Sequence, residues 1–151
     1  MSDPLYRKEL LRLAADAHGA GQLPSPDATG SAFNPACGDR VTVTLALADG
    51  RIATVAHETR ACLLAQASAS ILGATLQGRS RADIEALRAG LAGMLAAGRA
   101  APGPPFDGFG VFDGVADHPA RHRCVLLPVD AVLDAFENRK RAEPGGERSE
   151  R

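Results

Sequence analysis

The chain has 151 residues, of which 45% are apolar and 4% aromatic, with 17 basic against 18 acidic side chains. That length suits one domain with a single modest core, filled by alanine, leucine and valine rather than by rings. A net charge near zero excludes the basic stripe of a dedicated nucleic-acid or membrane-surface protein, and an odd number of cysteines argues against a disulfide framework.

Residues 4–18 read as an amphipathic helix, with Leu5, Leu10, Leu11, Leu13 and Ala14 apolar and Arg7, Lys8, Glu9 and Arg12 on other faces. These charges break any continuous apolar run, so the segment is not a signal peptide. No stretch of the chain reaches the roughly 18 apolar residues of a membrane span, and the expected location is the cytoplasm. "GAGQLPSPDATG" is a loop by its Gly, Pro and Ser content. In "DRVTVTLALADGRIATVAHE", Val41, Val43, Leu45 and Leu47 alternate with Thr and Ala, "ADG" makes a turn, and Ile52, Val55 and Ala56 follow. That is a β-hairpin with a bulge expected in its second arm, and "SAFN" adds a third, edge strand.

The period then changes to that of a helix. "ACLLAQASASILGATLQG" places Leu64, Ser68, Ile71 and Thr75 at helical steps, with Gly78 as its stop. "SRADIEALRAGLAGMLAAG" has Ser80 as a cap and Ile84, Leu87, Leu91 and Leu95 on one face. "RAAPGPPFDGFG" reads as a mobile Pro/Gly-rich loop. "PARHRCVLLPVDAVLDAFENRK" is a final helical region that Pro128 either kinks or restarts. The fold class is α+β, a small antiparallel sheet followed by helices, in one domain over residues 1–141 with a disordered tail at 142–151.

On this layout the three cysteines fall at element ends, where functional residues concentrate. Cys37 lies in "NPACGD", the turn entering a strand; Cys62 lies where strand gives way to helix; Cys124 opens the last helical region. Their spacings of 25 and 62 residues match no short zinc-finger pattern. Spacing alone therefore leaves two readings, three separate buried thiols or one shared site. Asn34, Pro35 and Gly38 are turn formers, but a turn explains neither Cys37 nor Asp39. His57 and His118 read as surface residues rather than ligands, and "QASAS" as a close helix-packing stripe.

"NPACGD", "CLLAQASAS" and "PARHRC", in that order and at these distances, resemble the three cysteine motifs of the U-type iron–sulfur cluster assembly proteins, the IscU, NifU N-terminal and SufU group. "LYRKELL" is similar to that family's opening helix, so the likeness spans roughly residues 4–137. The resemblance implies a three-stranded antiparallel sheet with helices packed against it. It also implies a site made of Cys37, Asp39, Cys62 and Cys124. The long segment "LAAGRAAPGPPFDGFGVFDG" and Arg123, where the IscU branch has a histidine, are similar to the SufU branch. Thr59 and Ala61 stand where the family usually has glycines.

For the SufU-like branch the implied cofactor is zinc, held by three cysteines and the aspartate. The implied activity is acceptance of persulfide sulfur from a cysteine desulfurase of the SufS kind, with Cys37 as acceptor, in the manner of a sulfurtransferase. Downstream cluster-assembly proteins are the implied recipients. Two alternatives stay open: a scaffold that builds and hands on a [2Fe–2S] cluster on the same cysteines, and a structural zinc domain. The residue types suit each, since thiolates bind zinc and iron–sulfur clusters alike. Three thiolates and a carboxylate on Zn²⁺ leave a net charge of about −2, which Arg60, Arg121 and Arg123 are placed in sequence to offset.

Overall fold

The computed structural model describes residues 8–36 and 38–142. Its elements run, in chain order, α1 (Lys8–Asp16), β1 (Ala28–Asn34), β2 (Asp39–Ala48), β3 (Arg51–Arg60), α2 (Leu63–Thr75), α3 (Arg81–Ala97) and α4 (His122–Ala142). The strands form one antiparallel sheet in the order β1-β2-β3, as the sequence leads one to expect.

Alternation along the strands decides which way the sheet faces. Val41, Val43 and Leu45 of β2 point to the helices and are buried, while Arg40 points away. Asp49 and Gly50 both have positive φ, 55° and 77°, the geometry of a tight two-residue hairpin turn. The register shifts between Ala46 and Leu47, which face Thr54 and Ile52, so Ala53 is the extra residue of a bulge in the second arm.

Both sheet edges are covered. On β1, the Ser31 N–H donates to Asp134 Oδ2 (2.9 Å) and the Thr29 carbonyl accepts from Asn138 Nδ2 (2.9 Å). On β3, the His57 N–H donates to the Gly19 carbonyl and the Gly21 N–H to the His57 carbonyl, each at 2.8 Å. At the far end of β3, Ile52 exchanges backbone hydrogen bonds with Arg79 (2.8 Å) and Gly78 (2.7 Å). Such bonds occupy main-chain groups that an edge strand would otherwise expose.

The Ser/Ala stripe of α2 works by close packing. Ser68 Oγ donates to the Val125 carbonyl of α4 (2.7 Å), and Ser70 Oγ accepts from the His18 N–H (3.1 Å). The cap expected at Ser80 is present and is a full capping box, with Asp83 as its reciprocal partner. Ile84, Leu87, Leu91 and Leu95 are all buried.

Four expectations are revised. Helix α1 ends at Asp16 rather than residue 18, because Ala17 turns into the left-handed region (φ 45°); residues 4–7 lie outside the described residues. Gly78 does not stop α2, which closes at Leu76; it serves the β3 edge instead. The Pro/Gly-rich loop gives way to a 3-10 helical segment over Asp107–Asp117, and Phe106, Phe109, Phe112 and Val115 anchor it in the core. Pro128 does not restart α4, which runs through it. The tail expected at 142–151 lies outside the described residues except for Ala142, which ends α4. Among the described residues no helix is long and apolar enough to cross a membrane.

Candidate metal centre

Three elements bring their ends to one point. Asp39 is the first residue of β2 and faces inward, opposite the buried Asn34 of β1. Cys62 caps the N-terminus of α2. Cys124 is the third residue of α4 and is 1% exposed. One ligand atom from each of Asp39, Cys62 and Cys124 lies within 4.8 Å of the other two. Cys37 lies outside the described residues, although both arms of its turn are defined. Asn34 closes that turn, its carbonyl accepting from Gly38 N–H (2.8 Å) and its Oδ1 from Ala36 N–H (3.1 Å). Gly38 has φ +76°, a backbone conformation that side-chain-bearing residues rarely adopt, so the turn uses the freedom that glycine provides.

The two thiols shift each other's pKa in opposite directions. Interaction with the neighbouring Cys124 thiol brings the Cys62 thiol down to about 6. Burial opposes that shift, the backbone N–H groups of Ala65 and Leu64 assist it, and the Asp39 carboxylate opposes it. Cys124 is pushed up by the same interaction with Cys62 and by burial, while Arg121 hydrogen-bonds its sulfur and pulls the other way. The Cys124 thiol also faces Asp39 Oδ2 at 3.8 Å. In metal-free protein, iodoacetamide should therefore modify Cys62 in preference to Cys124, with the Cys62 rate half-maximal near pH 6. Equal rates for the two thiols at pH 7 would contradict the opposite shifts.

This donor set fits zinc. Zn–S bonds of about 2.3 Å and Zn–O bonds of about 2.1 Å at tetrahedral angles separate donors by roughly 3.5–3.8 Å. The Asp39–Cys124 distance is in that range. Three protein donors leave one of four positions for a further ligand.

The other sequence candidates sort cleanly. Arg121 reaches the site through Cys124, whereas Arg123 is exposed and Arg60 lies on the outer face of β3. His122 turns away, its Nε2 on the carbonyls of Val115 (3.1 Å) and Ala116 (3.2 Å). His57 is not a surface residue: it is buried, with Nε2 on the His18 carbonyl (2.8 Å) and Nδ1 on Thr59 Oγ1 (2.9 Å). Desolvation lowers its pKa, and it fastens the segment after α1 to the sheet. Its inward parity with Val55 was the signal for that role. Gln66 was overlooked: its Nε2 donates to the Ala61 carbonyl (2.8 Å) and steadies the backbone entering Cys62.

The NifU-like N-terminal domain family matches residues 5–91, more than half of the chain. A crystal structure of a nitrogen-fixing NifU-like protein (N-terminal) from Brucella abortus superposes with a TM-score of 0.88 at 35% identity, over 93% of this chain and 98% of that one. The putative iron–sulfur cluster assembly scaffold protein for the SUF system from Fervidobacterium islandicum shares the fold, with a TM-score of 0.80 at 20% identity over 90% of this chain and 99% of that one. The iron–sulfur cluster assembly scaffold protein IscU of Streptococcus pyogenes serotype M1 is 28% identical over 127 residues, 83% of this chain and 79% of that protein. Matching motifs, sheet order and a family match over most of the N-terminal half and beyond lead to one conclusion: the chain belongs to the NifU-like N-terminal domain family.

Proposed function

We propose that this chain is an iron–sulfur cluster assembly protein of the IscU/NifU/SufU type. Within that type we propose a SufU-like, zinc-holding acceptor of persulfide sulfur from a cysteine desulfurase. The observation that carries this reading is the convergence of Asp39, Cys62 and Cys124 on one point, with Cys37 two residues before Asp39 in the chain. The long segment between α3 and α4, and Arg123 in place of a histidine before Cys124, support the SufU-like branch.

Cys37, Asp39, Cys62 and Cys124 would hold the zinc, which when bound supplies a positive charge that keeps thiols deprotonated at neutral pH. The Cys37 thiolate attacks the outer sulfur of the desulfurase persulfide. The persulfide S–S bond breaks, the donor cysteine leaves as a thiolate, and the transferred sulfur remains as a persulfide on Cys37. Cys62 and Cys124 suit a retaining role, because one is held by backbone N–H groups of α2 and the other is buried in α4. A second reading, a scaffold carrying a [2Fe–2S] cluster as cargo, is favoured by the name of the Streptococcus pyogenes relative.

Metal analysis of protein purified without oxygen tests the choice. Colourless protein with one zinc per chain is expected, and a brown protein with iron and acid-labile sulfide would favour the scaffold. Zinc bound tightly, with no sulfur on any cysteine after desulfurase turnover, would leave a structural zinc domain.

Asp39→Ala should release zinc to a chromogenic chelator at least about tenfold faster, because a hard carboxylate is the weakest of these donors for a borderline-soft ion. Its metal-free melting temperature should not fall, since the substitution removes a buried carboxylate that opposes the neighbouring thiolate. Unchanged release would remove Asp39 from the ligand set.

A further inference from the structure

The outer face of the sheet is covered at one end and open at the other. Where it is covered, Thr44 Oγ1 accepts from the Leu23 N–H (3.1 Å), and Thr44 and Ala56 are buried on that face. At the open end, next to the turn that contains Cys37, Phe33, Arg40 and Arg60 form a row across all three strands. Phe33 pairs with Arg40, and Arg40 with Arg60. Phe33 is 48% exposed, and the Arg40 guanidinium sits 5.0 Å from its ring centroid. With Gly38, Thr42 and Glu58 these three line a depression of about 420 Å³.

This row is costly unless something uses it. Like charges directly opposite one another destabilise a sheet, and Arg40 faces Arg60 in register. Among the described residues, neither guanidinium has a carboxylate within ion-pair distance. An exposed aromatic beside a pair of arginines is the composition of a protein contact centre rather than of an average surface. Glu58 lies one row further from the turn, so the depression is positive at the end nearest Gly38. The overall charge of −1 and the single pair of cations are too little for a nucleic-acid track. The complementary occupant is an acidic protein segment. Asp39 turns inward to the other donors and Arg40 turns outward, so a chain bound on this row sits behind the start of β2, beside Gly38.

We propose that Phe33, Arg40 and Arg60 form the docking platform for an acidic segment of the persulfide-bearing desulfurase. This rests on the acceptor reading above. The test titrates the full-length, zinc-loaded chain into a SufS-type desulfurase of the same organism at low and at physiological salt. Arg40→Glu and Arg60→Glu should each weaken binding about tenfold. Their affinities should also lose most of the salt dependence of the wild type. Arg99→Glu changes the net charge equally on a distant exposed residue and should stay within twofold of wild type. Zinc content and melting temperature verify that each variant is folded. Folded variants with wild-type affinity and salt dependence would overturn the platform while leaving the acceptor reading intact. A wild type whose binding is sensitive to both substitutions but which takes up no sulfur would support the platform and overturn the acceptor. A wild type that does not bind the desulfurase at all would overturn both.

Discussion

Cys37→Ser should yield a protein that folds and still binds zinc weakly, yet takes no sulfur from a desulfurase and no longer speeds its turnover. Serine cannot supply a thiolate at neutral pH, so the expected loss of transfer is complete to the limit of detection. The fold should survive because the substitution falls in a turn whose closure depends on Asn34 and Gly38 rather than on the thiol. Mass spectrometry after a single desulfurase turnover, without reductant, reads the outcome: one added sulfur on Cys37 in the wild type and none in the variant. Sulfur on Cys124 instead would move the protein toward the scaffold reading, since that thiol is buried and held by its neighbours.

The largest expected loss of stability comes from Gly30→Ala. Gly30 of β1 lies against the backbone of α4, where an added β-carbon would overlap Ala131 and Ala135. Neither neighbour can yield, because both positions belong to a continuous helix that also holds the β1 edge through Asp134 and Asn138. Separating strand from helix should cost about 3 kcal/mol and lower the melting temperature by roughly 10 °C. Gly90→Ala gives the contrast. Its new β-carbon would meet only Pro102 Cγ at 3.8 Å, an ordinary contact, in the interior of α3. That variant should gain about 0.5–1 kcal/mol from helix propensity. Thermal denaturation of the two variants side by side checks both signs, and a Gly30→Ala protein as stable as wild type would refute the close strand–helix packing.

The sheet was legible in the sequence because period-2 alternation and the "ADG" turn are local signals. Helix α3 was legible for a similar reason: its cap and its apolar face lie within one segment. The 3-10 segment was not, since Phe106, Phe109 and Phe112 look like loop residues until α3 and the core are in place around them. His57 was misread for the same kind of reason, as its partner carbonyl at His18 lies 39 residues away. At the candidate metal centre, the resemblance in motif order pointed to Asp39, Cys62 and Cys124, whose ligand atoms lie within 4.8 Å of one another. The opposite shifts of the two thiols and the approach of Arg121 depend on how α2 and α4 meet, which no local pattern encodes.

The closure of both sheet edges sets the rules for every encounter this protein has. A visiting chain cannot lengthen the sheet by adding a strand along the described edges, since α4 and the segments around Gly19 and Gly78 already occupy main-chain groups there. Backbone mimicry is the least selective mode of peptide capture, because any extended sequence offers the same amides and carbonyls. Visitors must instead be discriminated by side-chain shape and charge, which confines productive collisions to partners carrying the matching surface. For a domain that gathers two thiols and a carboxylate at one point, that restriction guards against indiscriminate association.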